Sequence, residues 1–396
     1  MDINNLAEAT QEQLVKWRRE LHRFPELGNE LPQTSAYVQK QLNEMGIPFV
    51  TMVNGSGILA TIIGGEQGKT LAIRADMDGL PIVEAIDVPY KSKNNNMHAC
   101  GHDAHTSMLL GVAKIINDNK QNLKGVVKLI FQPGEESPGG AKPMIKEGCL
   151  KGVDAIFGQH IGVLSSDVLE SGKIIVSHGN VMACRDAFKI KVIGKGAHGA
   201  WPELSIDPIA IVAQVINGIY MIKSREIATL SPSVISICMI NGGSASNIIP
   251  QYVELEGSTR SIDEKTRKFI AKRIEEVVSN TCKAYGASYE FEFTYDYDIT
   301  INNHEMADLV ISSAKNIGMG NDVVLQSAPL MGSEDMSFFL NEVPGAYYFL
   351  TSVVTQEDGQ IYGHHHPRFT LDESVFHKGV ALFVAIVNTY LGFKEA

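Results

Sequence analysis

The chain has 396 residues, 44% of them hydrophobic and 20% charged, which is an ordinary globular balance and too long for one ordinary core, so two domains are expected. A formal net charge of -11 with no basic cluster argues against nucleic-acid binding, because an acidic surface and a phosphate backbone repel each other. The opening MDINNLAEATQEQLVKW lacks a basic stretch followed by an apolar one, no apolar run approaches a membrane span, and the 5 Cys are odd in number and scattered, so we expect a cytoplasmic protein with reduced thiols and no membrane partner.

In chain order, the first predicted element is an amphipathic helix with Leu14, Trp17, Leu21 and Phe24 at spacings of three or four. Strands follow over 58–63 and 70–73. A longer helix begins after Cys100, with Met108, Leu109, Val112, Ile115 and Ile116 on one face. Strands over 126–131 and 155–157 come next. Short apolar strands alternating with helices predict an α/β fold with a mostly parallel sheet covered on both faces.

From Arg185 the pattern changes. It reads strand 187–193, helix 207–223, strand 234–240, strand 252–260, helix 263–285 and strand 288–294. That βαββαβ order is ferredoxin-like. Ser261 and Glu264 have capping-box spacing before the second helix, and Ile270, Ile274, Val277 and Val278 form its apolar stripe. A complete supersecondary unit inside an α/β chain reads as an insertion. The α/β pattern resumes with a strand over 347–350 and a helix over 375–391. The expected division is 1–184 with 299–396 for a discontinuous α/β domain, and 185–298 for the inserted one.

Four clusters carry the chemistry, several at the ends of predicted strands, where open α/β sheets place their sites. In Met97-His98-Ala99-Cys100-Gly101-His102-Asp103-Ala104-His105, Cys100 and His102 flank one glycine just before a helix, and thiolate with imidazole suits zinc and similar ions. His105 lies one turn further on and reads as a residue that supports the ligands. Glu135 and Glu136 leave a buried strand together, so one can bind metal while the other serves as general base. Asp76 and Asp78 also follow an apolar strand and can orient a ligand histidine. His364, His365 and His366 supply at least one further ligand, and His160 after the 155–157 strand another. Taken one at a time, each cluster has a bland reading: a buried thiol, a solvated acidic loop, a polar turn before Pro81, an interior histidine. Together Cys100, His102, Glu136, His160 and one of the three histidines are too many ligands for one tetrahedral site. They suit two ions sharing a bridging ligand and a bridging water.

MHACGHDAHT, FQPGEE, Gln159-His160, GKGAHGAWPELSIDPI, SASNIIP, GSTRSI, GSEDM and HHHPRF, in this order, resemble the M20 metallopeptidase superfamily, specifically its amidohydrolase branch. The resemblance runs from about Trp17 to the last helix. It implies a two-metal catalytic domain interrupted by a ferredoxin-like lid that also makes a homodimer or homotetramer. It implies metal ligation by Cys100, His102, Glu136, His160 and His365, the last because the pattern is His-x-Pro-x-Phe, and a general base at Glu135. His198 matches a lid histidine that reaches a neighbouring subunit's site, and Asn247 and Arg260 match lid positions that contact substrate. The implied reaction is metal-dependent hydrolysis of the amide bond of a small N-acyl amino acid, with two divalent ions (Zn, Mn or Co) activating the water. Departures at Pro202-Glu203, Gly134, Met336 and the segment after His160 touch no expected ligand and bear on substrate preference. Alternatives are a dipeptidase or carboxypeptidase of the same superfamily, a metal-binding homologue without turnover, and an acidic metal-storage protein. Glu135 speaks against the second, because a structural site has no use for a free base beside Glu136. The glycine-rich lid motif speaks against the third.

Overall fold

The computed structural model describes residues 1–163, 168–326 and 328–394. Among these, the strands in chain order are β1 Phe49–Met52, β2 Gly57–Ile63, β3 Glu66–Asp76, β4 Lys124–Gln132, β5 Ala155–Gly162, β6 Ile174–Val176, β7 Asn180–Met182, β8 Arg185–Ile193, β9 Ala197–His198, β10 Ser233–Gly242, β11 Ile248–Ile249, β12 Tyr252–Ser261, β13 Ser288–Tyr297, β14 Thr300–Ile301, β15 Val323–Leu325 and β16 Gly345–Thr351. The α-helices are α1 Ile3–Glu8, α2 Gln11–His22, α3 Pro32–Glu44, α4 His102–Asp118, α5 Ala141–Lys146, α6 Pro208–Met221, α7 Glu264–Ala284, α8 His304–Asn316, α9 Met336–Glu342 and α10 Phe376–Tyr390.

The chain divides into two compact units, one of residues 1–181, 301–327 and 335–396, the other of 182–300 and 328–334. The first holds an eight-stranded sheet in the order β1-β2-β4-β3-β5-β16-β6-β15. Its central strands β4, β3, β5 and β16 run parallel, and antiparallel pairs lie towards the edges. β5 and β16 bury every residue, as strands covered on both faces must. The expected 126–131, 155–157 and 347–350 strands all form and extend further. Helix α4 differs from its predicted single apolar face: of residues 102–116 only Lys114 is exposed. The reason is that it packs against α2, α10 and β3 at once. A helix so enclosed can carry buried polar groups on its first turns, provided they are paired.

The second unit contains a four-stranded antiparallel sheet in the order β10-β12-β8-β13, with α6 and α7 on one side. This is the expected βαββαβ arrangement. Its core joins Ile190, Val192, Val215, Ile219, Leu255, Ile270, Ile274 and Val278. The cap of α7 differs from the capping-box expectation. Asp263, not Ser261, is the N-cap: its side chain accepts the Thr266 N–H at 2.7 Å, while the Ser261 hydroxyl donates to the Asp263 carbonyl at 2.9 Å. A carboxylate satisfies an orphan N–H and opposes the positive helix end together, so it takes the cap position.

Candidate metal centre

The first unit brings its polar residues to the carboxyl ends of parallel strands, the usual position for sites in open α/β sheets. Asp76 ends β3 and Asp78 lies two residues beyond it. Gln132 ends β4, and the following turn carries Glu135 and Glu136. His160 lies near the end of β5. Gly101, with φ of 90°, turns the chain into α4 and sets Cys100 just before the helix and His102 at its first position. A Cβ at Gly101 would also stand 3.3 Å from the Ile161 side chain, so glycine serves both the turn and the packing.

These segments bring thiol, imidazole and carboxylate donors together. The donor atoms of Cys100, Glu136 and His365 lie within 4.8 Å of one another, as do those of His102, Glu135 and Glu136, and those of Cys100, His160 and His364. Hydrogen bonds decide which ring nitrogens have a free lone pair. His160 Nδ1 donates to the Ile161 carbonyl at 3.0 Å, leaving Nε2 as acceptor 3.4 Å from Cys100 Sγ. His102 Nδ1 lies 3.2 Å from Asp78 Oδ1, and its Nε2 has no hydrogen-bond partner. His365 Nε2 is 3.0 Å from Glu136 Oε1. His105 is different: Nδ1 faces Asp76 Oδ1 at 2.5 Å, and Nε2 accepts the Ile161 N–H at 2.8 Å. With both nitrogens engaged it has no lone pair for an ion, and it ties α4 to β3 and β5. His98 turns away, 6.2 Å from His22, and joins none of these groups.

Asp78 is the organiser of the carboxylate turn. One of its oxygens accepts the Glu135 N–H and the other the Glu136 N–H, both at 3.0 Å. A single buried carboxylate thus orients His102 and both glutamates. Sequence reading placed Asp78 here but did not reveal the backbone clamp. It missed Arg74 altogether. Arg74 is buried and donates to Asp76 Oδ2 at 2.7 Å, Gln132 Oε1 at 2.8 Å and Asp335 Oδ1 at 2.8 Å. Asp335 in turn accepts the Gly140 and Ala141 N–H groups at 3.0 and 2.9 Å, closing the turn after Glu136. The GSEDM motif was the visible signal for Asp335. A charged residue inside an apolar strand was the signal for Arg74.

The charge balance of the centre calls for cations. Burial pushes the Cys100 thiol well up, and Glu136, Glu135 and Asp76 add to it. Burial works against a charge on His102, yet Asp76, Asp78 and Glu136 raise it to about 10. Burial holds His160 well below its usual value, with His105 and His364 adding to the effect. Free thiol, neutral imidazole and clustered carboxylates are the donor chemistry of zinc and related divalent ions, so the residues present fit a metal centre. Bound cations would let the thiol ionise and leave His102 neutral.

The other three expected residues belong to the second unit. His198 sits on β9, paired with Ile248 of β11, its ring 4.9 Å from Trp201 and its Nδ1 accepting the Ala200 N–H at 3.1 Å. Asn247 precedes β11, and its carbonyl accepts the Gly199 N–H at 2.8 Å, so Asn247 lies beside the residue that follows His198. His198 also lines a cavity of about 790 Å³ with Asn241, Ser244 and Tyr252. Arg260 lies apart from them on β12, where Nη1 donates to Ser333 Oγ at 2.7 Å.

A thiol, imidazoles and carboxylates gathered at these strand ends make a candidate metal centre. The Peptidase family M20/M25/M40 profile matches residues 72–389, and the chain belongs to that family, whose members hydrolyse amide C–N bonds. It is 42% identical over 397 residues to thermostable carboxypeptidase 2 of Saccharolobus solfataricus, covering 99% of this chain and 98% of that one. It is 40% identical over 306 residues to an N-acyl-L-amino acid amidohydrolase of Geobacillus stearothermophilus, covering 77% and 82%. The crystal structure of the Bacillus subtilis YXEP protein, a dinuclear metal binding peptidase from the M20 family, superposes with a TM-score of 0.83 at 31% identity, covering 98% of this chain and 99% of that one. The protein is therefore a metallo-amidohydrolase of the M20 family.

Proposed function

We propose that this enzyme cleaves the amide bond of N-acyl amino acids, releasing an amino acid and a carboxylic acid. The observation that carries the reading is Glu135. It is a buried carboxylate within 4.8 Å of the donor atoms of His102 and Glu136, fixed through its own backbone by Asp78. In this reading Cys100, His102, Glu136, His160 and His365 hold two divalent ions, Zn, Mn or Co. When bound, such ions polarise a carbonyl and make water acidic enough to attack near neutral pH. Glu135 takes a proton from the attacking water as the C–O bond forms. It returns that proton to the amide nitrogen as the C–N bond breaks, so water is consumed and no other reactant is needed. Asp78 keeps Glu135 and His102 in place throughout.

The family resemblance supports the remaining assignments. The second unit is a lid and dimerisation domain in a homodimer or homotetramer. Its His198 stabilises the oxyanion of a neighbouring subunit's reaction. Asn247 or Arg260 holds the substrate carboxylate, for which a guanidinium fork is well shaped. Among the described residues no helix is long and apolar enough to cross a membrane, and all five cysteines are free. The free thiols support a cytoplasmic setting.

A second reading, carboxypeptidase activity, is favoured by the 42% identity to a carboxypeptidase. The two readings share an amide next to a free carboxylate and differ in what lies on the acyl side. Metal-stripped protein resupplied with Mn, Zn or Co should be assayed on N-acetyl, N-benzoyl and indole-acetyl amino acids and on dipeptides. Metal-dependent release of amino acid from the acyl compounds is expected. Cleavage of peptides alone would replace the proposal with the second reading, and no turnover by folded, metal-loaded protein would refute both.

A further inference from the structure

The three consecutive histidines 364–366 go to three different places. His365 has a left-handed backbone, φ of 63°, which breaks the alternation of an extended strand. Its ring reaches Glu136. His366 stacks on Tyr362 at 4.4 Å, and its Nδ1 accepts the Arg368 N–H at 3.0 Å, so its environment is that of the surface loop. His364 turns inward. Its ring meets His160 edge-on at 4.9 Å and lies 4.7 Å from Phe369.

Both ring nitrogens of His364 are shut off from solvent, and neither has a hydrogen-bond partner. A neutral imidazole buried in that way forfeits about 1–3 kcal/mol for each unsatisfied group, so a partner is called for. The backbone opposite has made room for the ring. Gly162 has φ of 138°, and a Cβ there would stand 2.3 Å from His364 Cε1 and Nε2. Any side chain at 162 would expel the imidazole. A ligand nitrogen of His364 lies within 4.8 Å of Cys100 Sγ and a ring nitrogen of His160, whose Nε2 lone pair is left free by the Nδ1 bond to Ile161.

We infer that His364 is a further ligand of the metal centre, completing a thiolate and two-imidazole set with Cys100 and His160. The inference rests on the metal-dependent reading above. It adds a ligand to the five assigned there. It also gives this side of the centre a softer donor set than the side built from Glu136, suited to zinc or cobalt over magnesium or calcium.

The test uses full-length protein, stripped and reloaded with Co²⁺. X-ray absorption at the cobalt edge counts imidazole ligands, and competition with a chelator measures retention. His364→Leu should lower the imidazole count and weaken retention of one ion by about tenfold or more, a loss at least as large as that from removing a supporting partner of a ligand. His366→Ala should change neither. Metal-free melting curves of the variants show whether each is folded, and His364→Gln, which keeps a polar group of similar reach, is read in the same way should the leucine variant fail to fold. An unchanged imidazole count and unchanged retention in a folded His364 variant overturn the inference while leaving the metal-dependent reading intact. Failure of the wild-type chain itself to take up cobalt refutes that reading, and this inference with it.

Discussion

The two sheets of this protein obey opposite rules. In the first unit β5 and β16 are buried along their whole length, and the polar residues that face the candidate centre lie in the carboxyl-terminal half of β5 and at the ends of β3 and β4. In the second unit β8 alternates buried and open positions, and β13 does so with a half-buried face. A strand covered on both faces can carry a charge only at its end or, like Arg74 of β3, where buried carboxylates pair with it, so donors from distant segments converge towards the strand ends. A strand covered on one face can place polar residues along its whole length. Chemistry is therefore concentrated in the first unit. The lid candidates His198, Asn247 and Arg260 are spread over β9, the turn before β11, and β12.

The sharpest way to break this comparison is to neutralise Glu135, the proposed base. Glu135→Gln should reduce turnover by roughly 10²–10⁴-fold with metal content close to wild type, read by steady-state assay and elemental analysis. Loss of turnover and metal together would mean that Glu135 is a ligand. Next in size, Ile274→Ala in the core of the second unit should cost about 2–5 kcal/mol in denaturant unfolding. If metal content falls in parallel, the two units are not separate in their energetics. Asp78→Asn removes a charge and one of the two acceptor oxygens that hold the glutamate turn. A fall of about 10–100-fold in metal affinity or activity is expected, and an unchanged variant would deny Asp78 its organising part.

A pH experiment tests the buried polar groups of α4 directly. Asp103 is fully buried, and burial opposes its charge, but Arg18 at 2.8 Å and His22 at 2.6 Å hold its carboxyl far below the usual range. Because the folded value is depressed, the stabilisation is complete above the ordinary aspartate value of about 3.9 and disappears as pH falls below it towards the folded one. The stability gap between wild type and Asp103→Asn should thus narrow progressively in acid, and should narrow also as pH rises through the His22 value, which Asp103 helps to raise. A gap independent of pH would assign it to packing. The smallest effect expected is in the second unit, where Asp263→Ala should cost about 1 kcal/mol through loss of the α7 cap, with no change in metal retention.

Much of this was legible in the chain itself. Alternation and helical spacing sufficed for the βαββαβ unit because each of its elements has one buried face, which leaves a periodic trace. Helix α4 left a poorer trace, since burial on nearly every side removes the contrast between faces. The α7 cap was misjudged by two residues because serine and aspartate compete for the same N–H groups, and only the backbone shows which of them reaches Thr266.

The residue types of the centre were likewise set out by sequence: a thiol and imidazoles before a helix, paired glutamates after a strand, a run of histidines near the end. What tertiary structure decided is which atom of each is available. His105 and His160 are both buried imidazoles close to β5, yet one has both nitrogens consumed by Asp76 and Ile161 while the other keeps Nε2 for Cys100. Three adjacent histidines, identical in the sequence, separate into one beside Glu136, one turned towards Cys100 and His160, and one stacked on a tyrosine. A tautomer and a lone-pair direction depend on hydrogen-bond partners that are far away in the chain, and no local pattern records them.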